Sequence, residues 1–391
     1  MYVAVLGRQP AIGLAELESV FGSENVAAYD SVATVAAGEF DLSRFGGVKK
    51  AGRVLIEFTS QGIKADKETV YDTLLAHIGA LSGKVTIGFS SYISGVDVGD
   101  LKQIGTRLKT QMKKQGKSLR LVPNTSAELS TATSHHNRLG LADNKIEVIL
   151  IRADKKMLVA LSIGAQNISA YAARDQKRPA RDMYIGMLPP KLAQTIINLA
   201  TGERKVQSVL DPFCGTGVLL QEALLMGYDV IGTDLSEKMV EYSRTNLEWL
   251  LAKKRMAVQP RHQRILLHEG DAMEYQWEKF DTVACEAYLG QPFSAPPSAK
   301  KLVEVQQTCR RIISGFLKNL ATQIEPDTRL CIAIPAWRRT DGSFTRLNLL
   351  DSLGRLGYNL VEFKHARQSD LLYHRSNQIV ARELLVLRRS K

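Results

Sequence analysis

Cysteine is scarce in this 391-residue chain: Cys214, Cys285, Cys309 and Cys331 are the full set, none in the first half and no two in a Cys-x-x-Cys pair. That argues against both a zinc knuckle and a disulfide framework, and the thiols are expected to be reduced. No uncharged apolar run reaches membrane-spanning length and no charged-then-apolar leader follows Met1, so neither secretion nor a membrane span is expected, and the place of the protein is the cytoplasm. Internal repeats and low-complexity tracts are missing too. The adjacent His135 and His136 have no third candidate ligand nearby, which favours a surface or RNA-contacting loop over a metal pair. No metal is expected. Acidic residues are absent from Leu101 to Arg120, where seven basic residues fall.

Basic residues are what the chain has in excess. A formal net charge of +12 and a pI near 9.4 suggest a polyanionic partner, although a basic chain can also simply be soluble. At this length two or three domains are expected. Residues 1–60 read as a small α/β unit: strand "MYVAVLG", a helix "IGLAELESVFG" burying Leu14, Leu17, Val20 and Phe21, and strand "RVLIEFT". Residues 61–169 read as a second unit. Its strand "KVTIGFSSYI" precedes a helix with Leu101, Ile104, Leu108 and Met112 at helical spacing, and "KIEVILIRADKKMLVALSIG" gives two strands around a turn at Asp154. The basic stretch on that helix is either a solvated face or an RNA-facing surface. Residues 170–190, charged and proline-bearing, form a linker or docking segment. From 191 to 391 strands and helices alternate, as a doubly wound α/β fold requires.

The strongest signal is "VQSVLDPFCGTGVLLQEALLMGYDVIGTDLSEKMV". Val206 to Leu210 is a strand, Asp211 to Gly217 a glycine-bearing turn, Val218 to Met226 a helix, and Tyr228 to Thr233 a second strand ending in Asp234. The glycines allow close backbone approach to a ligand, and an acid about 20 residues on can reach ribose hydroxyls. Asp234 lies 19 residues after Gly215. Leu220 stands where a pyrophosphate binder carries its third glycine. Further along, "FDTVACEAYLGQP" runs from an apolar strand into a carboxylate, an aromatic ring and a glycine. Counted in chain order, Thr282 to Cys285 is the fourth strand of this unit, so its carboxyl end lies at the topological switch point where chemistry is expected.

The "DPFCGTG" turn resembles that of S-adenosylmethionine-dependent RNA methyltransferases. In that resemblance Asp211 faces the amino-acid part of the cofactor, Gly215 and Gly217 border it, Phe213 and Leu235 line the site beside Asp234, and Asp271 and Ala272 of "LLHEGDAMEY" contact the adenine. Amine methyltransferases carry Asp-Pro-Pro-Tyr or Asn-Pro-Pro-Tyr after the fourth strand. "EAYLG" places Glu286 at the acid, Ala287 and Tyr288 at the prolines, and Leu289 at the aromatic. This departs from the pattern: the extra methylene of Glu286 shifts its oxygen, the rigidity of two prolines is lost, and Tyr288 would stack one position early. Nearly the whole chain resembles the THUMP-domain tRNA guanine-N2 methyltransferases, from "LGRQPAIGLAELESV" and "RFGGVKKAG" through "RDQKRPARDMYIGMLPPKLAQTIINLA" to "YHRSNQIVARELLVL", the last resembling the final strand pair of the methyltransferase sheet.

That resemblance implies an α/β protein with an N-terminal ferredoxin-like and THUMP-type RNA-binding module and a C-terminal Rossmann-like methyltransferase domain. It brings Met187, Leu188 and Pro189 near the cofactor, has the N-terminal units bind the tRNA acceptor end, and has the target guanosine flip into the pocket. Lys113, Arg120, Arg174, Lys177, Arg178 and Arg181 are the candidate phosphate contacts; ion pairing of the junction arginines with Asp175 and Asp182 is the alternative. A non-catalytic RNA-binding homologue, or an amine methyltransferase acting on rRNA or DNA, remains the competing function. Oligomeric state is left open, with a monomer favoured.

Overall fold

The computed structural model describes residues 1–182, 188–253, 263–376 and 378–390. They divide into two compact units: residues 1–10, 24–43 and 47–169 form the first, and residues 11–23, 44–46 and 170–391 the second. Among the described residues no helix is long and apolar enough to cross a membrane.

The first unit is built on one sheet. Its strands are β1 (Tyr2–Leu6), β2 (Val26–Tyr29), β3 (Val32–Val35), β4 (Val48–Thr59), β5 (Val85–Ser91), β6 (Leu119–Leu121), β7 (Lys145–Ala153) and β8 (Lys156–Ala165), in the order β2-β3-β1-β4-β8-β7-β5-β6. The boundary expected near residue 60 is crossed by this sheet, because β4 pairs with β1 along one edge and with β8 along the other. A unit ending at residue 60 would leave the second edge of β4 unpaired. In chain order α1 (Pro10–Phe21) follows β1, and α2 (Ile63–Gly79) and α3 (Val98–Lys114) follow β4 and β5. Helix α3 buries Leu101, Ile104, Leu108 and Met112, the residues its spacing singled out. Asp97 and Asp100 close a capping box at its start, and Lys113 and Lys114 lie in its last turn, where positive charge favours the helix dipole. Asp154, at φ 53°, makes the tight turn between β7 and β8. His135 and His136 sit on a short helix, α4 (Thr131–His136), rather than a loop.

The second unit carries β9 (Ser208–Asp211), β10 (Asp229–Asp234), β11 (Ile265–Glu269), β12 (Thr282–Glu286), β13 (Arg329–Arg338), β14 (Phe344–Arg346), β15 (Tyr358–Leu360), β16 (Leu372–Tyr373) and β17 (Val380–Arg389). The main order is β11-β10-β9-β12-β13-β17-β15. The first five strands are parallel and β17 runs antiparallel between β13 and β15. Chain order reverses between β9 and β12, so their carboxyl ends diverge and leave a crevice. The longer helices among the described residues are α5 (Ile168–Gln176), α6 (Pro190–Thr201), α7 (Val218–Leu225), α8 (Glu237–Ala252) and α9 (Ala299–Ala321). Helices α6 and α7 cover one face of the sheet over Val209, Val230, Ala284, Ala333 and Leu384; α9 covers the other over Leu210, Ile231, Cys285 and Ile332. The segment expected as a linker or docking stretch docks: after α5, the backbone N–H and carbonyl of Ala180 both bond the Asn246 side chain of α8.

Helix α1 departs from expectation. It clusters with the second unit, and its buried surface includes two carboxylates as well as Leu14 and Leu17, while Val20 and Phe21 are only half-buried. Glu16 accepts from Asn198 Nδ2 at 2.8 Å and from the Gly46 N–H at 3.0 Å. Glu18 accepts from the backbone N–H groups of Lys364 and His365 at 2.8 and 2.7 Å. Apolar periodicity alone could not reveal a helix anchored by acids. Gly46 is needed for the close approach: a Cβ there would lie 1.8 Å from the Lys191 carbonyl oxygen. Gly46→Ala should therefore cost at least about 1–3 kcal/mol, read as a lower urea midpoint at unchanged slope.

Candidate active site

Side chains alternate across a strand, so residues two apart share a face. Val209 and Asp211, Val230 and Asp234, and Ala284 and Glu286 thus project Asp211, Asp234 and Glu286 to the face covered by α6, at the carboxyl ends of β9, β10 and β12. Asp211 is 3% exposed. Burial pushes its pKa well above the usual carboxylate range, opposed by the Phe213 N–H bond and reinforced by the negative charges of Asp234 and Glu286. Burial also raises Asp234, against the bonds it accepts from Ser236 and Gly215.

The turn after β9 is pre-formed. Gly215 and Gly217 adopt φ 51° and 76°. The Gly215 N–H is held by Asp234 Oδ2 at 2.9 Å, and Ser236 N–H caps the other oxygen at 3.0 Å. From α8, Ser243 Oγ donates to the Gly215 carbonyl and Asn246 Nδ2 to the Thr216 carbonyl, each at 2.8 Å. A Cβ on Gly217 would press on Ser243, whereas one on Gly215 would meet only the Phe213 carbonyl at 3.9 Å, so the surface above Gly215 is open. Leu235 next to Asp234 is 71% exposed, a large aliphatic side chain left uncovered at the strand end. These residues fit a nucleoside cofactor: an open glycine turn, a carboxylate at the end of the adjoining strand and an uncovered apolar side chain beside it. Asp271 follows β11 and accepts from the Met273 N–H at 2.9 Å.

Other residues expected at the cofactor lie differently. The Phe213 ring packs edge-on to Phe316 of α9, 5.2 Å between centroids, and Ala272 is buried on that same α9 side. Leu188 and Pro189 are buried at the start of α6, and Met187 lies outside the described residues.

Glu286 is not a free carboxylate. Its Oε1 receives the Nε–H of Arg382 at 2.5 Å, with the arginine side chain 3% and the glutamate 15% exposed. Arg382 was missed, although its signal was legible: "IVARELLVL" interrupts an apolar strand with two charges, and buried charges require partners. Ala287 has its methyl group buried and its N–H bonded to the Ala333 carbonyl at 3.0 Å, a bond that proline could not donate. The ladder thus fixes the backbone where the family motif uses rings. Tyr288 is 42% exposed, Leu289 half-buried, and Gly290 has φ 85°. Tyr288 and Gly290 border a cleft of about 220 Å³ together with Gln291, Lys301, Glu304, Val305 and Thr308.

Two of the expected phosphate contacts are buried. Arg174 forms a two-pronged ion pair with fully buried Glu222, at 2.5 and 3.1 Å, with its guanidinium over the Tyr171 ring. Its partner is neither phosphate nor the Asp175 or Asp182 of the alternative. Arg178 is 2% exposed, its guanidinium nitrogens have no hydrogen-bond partner among the described residues, and burial lowers its pKa. Lys177, Arg181, Lys113 and Arg120 are exposed. Of the other basic residues on and after α3, Arg107 pairs with Glu68 and Lys117 donates to the Gly79 and Leu81 carbonyls.

Residues 203–346 match a family model described as a methyltransferase domain, and residues 109–245 one described as a DNA methylase. The tRNA (guanine(10)-N2)-dimethyltransferase of Pyrococcus abyssi is 48% identical over 171 residues, 43% of this chain and 43% of that protein. The enzyme of the same name from Methanothermobacter thermautotrophicus is 49% identical over 76 residues, 19% of this chain and 22% of that protein. The chain thus matches less than half the length of these curated relatives. TrmN from Thermus thermophilus, a solved structure, aligns over 99% of both chains with a TM-score of 0.50 and 15% identity, a likeness of fold. The resemblance to tRNA guanine-N2 methyltransferases is borne out by these relatives, and the second unit carries a Rossmann-like methyltransferase domain.

Two outcomes follow from the buried charges. Arg174→Ala strands Glu222 in the core and should cost about 3–5 kcal/mol of stability in denaturant titrations. The folded chain keeps Asp211 protonated to higher pH than the unfolded chain, so its stabilising share is complete below about pH 3.8 and is lost as pH rises through the folded value. Asp211→Asn cannot ionise. Its stability should therefore gain on wild type as pH rises above about 3.8, at no more than about 1.4 kcal/mol per pH unit, read as a widening difference in melting temperature; a gap constant with pH would refute the assignment.

Proposed function

We propose that the protein transfers a methyl group from S-adenosylmethionine to the exocyclic N2 amine of a guanosine in tRNA. The observation that carries this reading is the convergence of Asp211, Asp234 and Glu286 on one face at the switch point, beside a pre-formed glycine turn, in a chain whose curated relatives carry that name. Asp234 and the Gly215–Gly217 turn would hold the ribose and amino-acid portions of the cofactor, and Leu235 and Asp271 its adenine. When bound, the cofactor supplies a sulfonium methyl group whose sulfur keeps the electrons of the broken bond. Glu286 Oε2 and the Ala287 carbonyl hold the target amine, so that its lone pair forms the new N–C bond along a fixed line. The proton released from that nitrogen passes at Glu286 Oε2 to water. Tyr288 offers its exposed ring to the flipped base.

The first unit is the THUMP-like RNA-binding module of this reading, and the enzyme works in the cytoplasm. Lys113 and Arg120 are exposed and make no ion pair among the described residues. With Lys177 and Arg181 they form the phosphate contacts, so each lysine or arginine to alanine change should reduce the slope of log affinity against log salt by about 0.7–0.9. The test of the whole reading is nucleoside mass spectrometry of an unmodified tRNA transcript incubated with the protein and S-adenosylmethionine. N2-methylated guanosine is the expected product. N6-methyladenosine, methylation of DNA in preference to tRNA, or binding without transfer would each replace this function with another.

A further inference from the structure

We propose that Arg382 is a positioning residue for methyl transfer, holding one oxygen of Glu286 so that the other is presented to the target amine. The proposal rests on the functional reading above and names a residue for that same site.

The geometry comes from sheet register. Glu286 stands opposite Ala333, and Ala333 opposite Leu384, so Arg382 shares their face two residues along β17. Between the glutamate and the arginine β13 presents Ala333 and, directly opposite Arg382, Pro335, side chains short enough for two long ones to meet over them. Aspartate at position 286, one methylene shorter, would fall short of the guanidinium. The departures from the family motif are therefore coupled: glutamate in place of aspartate is the length that Arg382 requires, and the ladder bond of Ala287 to Ala333 fixes the backbone that prolines would otherwise hold.

The neighbouring charges are accounted for separately. Glu383 points to the opposite face, where it pairs with Arg346 and accepts from Gln368 at 3.4 Å. On the face of Glu286 the acids at the strand ends are Asp211 and Asp234, with Tyr373 of β16 opposite Arg382 and Cys331 further along β13, so a fixed guanidinium there offsets like charge as well as orienting the carboxylate. Arginine supplies a planar, permanently charged fork, and only its Nε is committed to Glu286 among the described residues. Glu286 Oε2 makes no hydrogen bond among the described residues and is not among the buried polar atoms left without a partner, so it remains accessible.

The experiment is a double-mutant cycle on the full chain with tRNA transcript and S-adenosylmethionine. Single-turnover rates, KM for both substrates and melting temperatures are read for wild type, Arg382→Met, Glu286→Gln and the double variant. Arg382→Met should slow transfer roughly 10- to 100-fold, the scale of about 1 Å of misplacement, with both KM values within about twofold of wild type. In the Glu286→Gln background the same change should slow transfer no further than about twofold. A residue that merely supports the fold would lower rates multiplicatively in the double variant, and that outcome, or a wild-type rate for Arg382→Met, overturns the proposal. Should Arg382→Met fail to fold, Arg382→Lys keeps charge and bulk but loses the fork; it should show a smaller loss that again vanishes in the Glu286→Gln background, and additive losses there refute the role. A wild type that methylates no tRNA sinks the functional reading and this proposal together, whereas wild-type transfer with an unaffected Arg382 variant sinks this proposal alone.

Discussion

The parallel pairing of β9 with β12 is the constraint on which the candidate site depends. Val209 opposite Thr282 and Leu210 opposite Val283 set both strands in one register, and because the period is two, that register decides which side chains leave the sheet toward α6. A slip of one residue would send Asp211 or Glu286 to the face of α9. Apolar burial on both faces makes such a slip costly, so the precision of the acidic edge is inherited from the packing of Val209, Val283 and Ala284 beneath it.

Placing like charges at one buried edge is unfavourable, and the chain meets this locally in different ways. Asp234 gives its oxygens to two backbone N–H groups, Asp211 is pushed toward its neutral form, and Glu286 takes a guanidinium. Deeper in the same unit, Arg174 and Glu222 form a satisfied buried pair that fastens α5 to α7. Buried pairs of this kind contribute little net stability over apolar packing but make one arrangement much better than its neighbours.

Much of this architecture was legible in the residues. The strand-turn-helix-strand run around "DPFCGTG" is local, and its 19-residue spacing translates into the Gly215 to Asp234 bond. Helix α3 was legible for the same reason: its apolar stripe and its caps lie within one segment. What stayed hidden is long-range. Arg382 meets Glu286 across 96 residues, and no periodicity encodes which partner a buried charge will choose. Arg174 and Arg178 looked like surface cations because local composition around them is polar, yet the first finds Glu222 and the second is covered. The division of the first sixty residues failed because strand β4 has two edges and its second partner, β8, lies about a hundred residues on.

The acids of α1 have a consequence for how the chain is made. Glu18 binds backbone N–H groups up to 347 positions later, and Glu16 binds Asn198 across 182. During vectorial synthesis at about 5–20 residues per second, α1 would wait roughly 20–70 s before the backbone that satisfies Glu18 exists. Contacts of such separation slow folding, since the chain must pay closure entropy before they reward it. Through that interval α1 carries Leu14, Leu17 and two carboxylates with no second unit to receive them, so its burial is among the last contacts that synthesis permits.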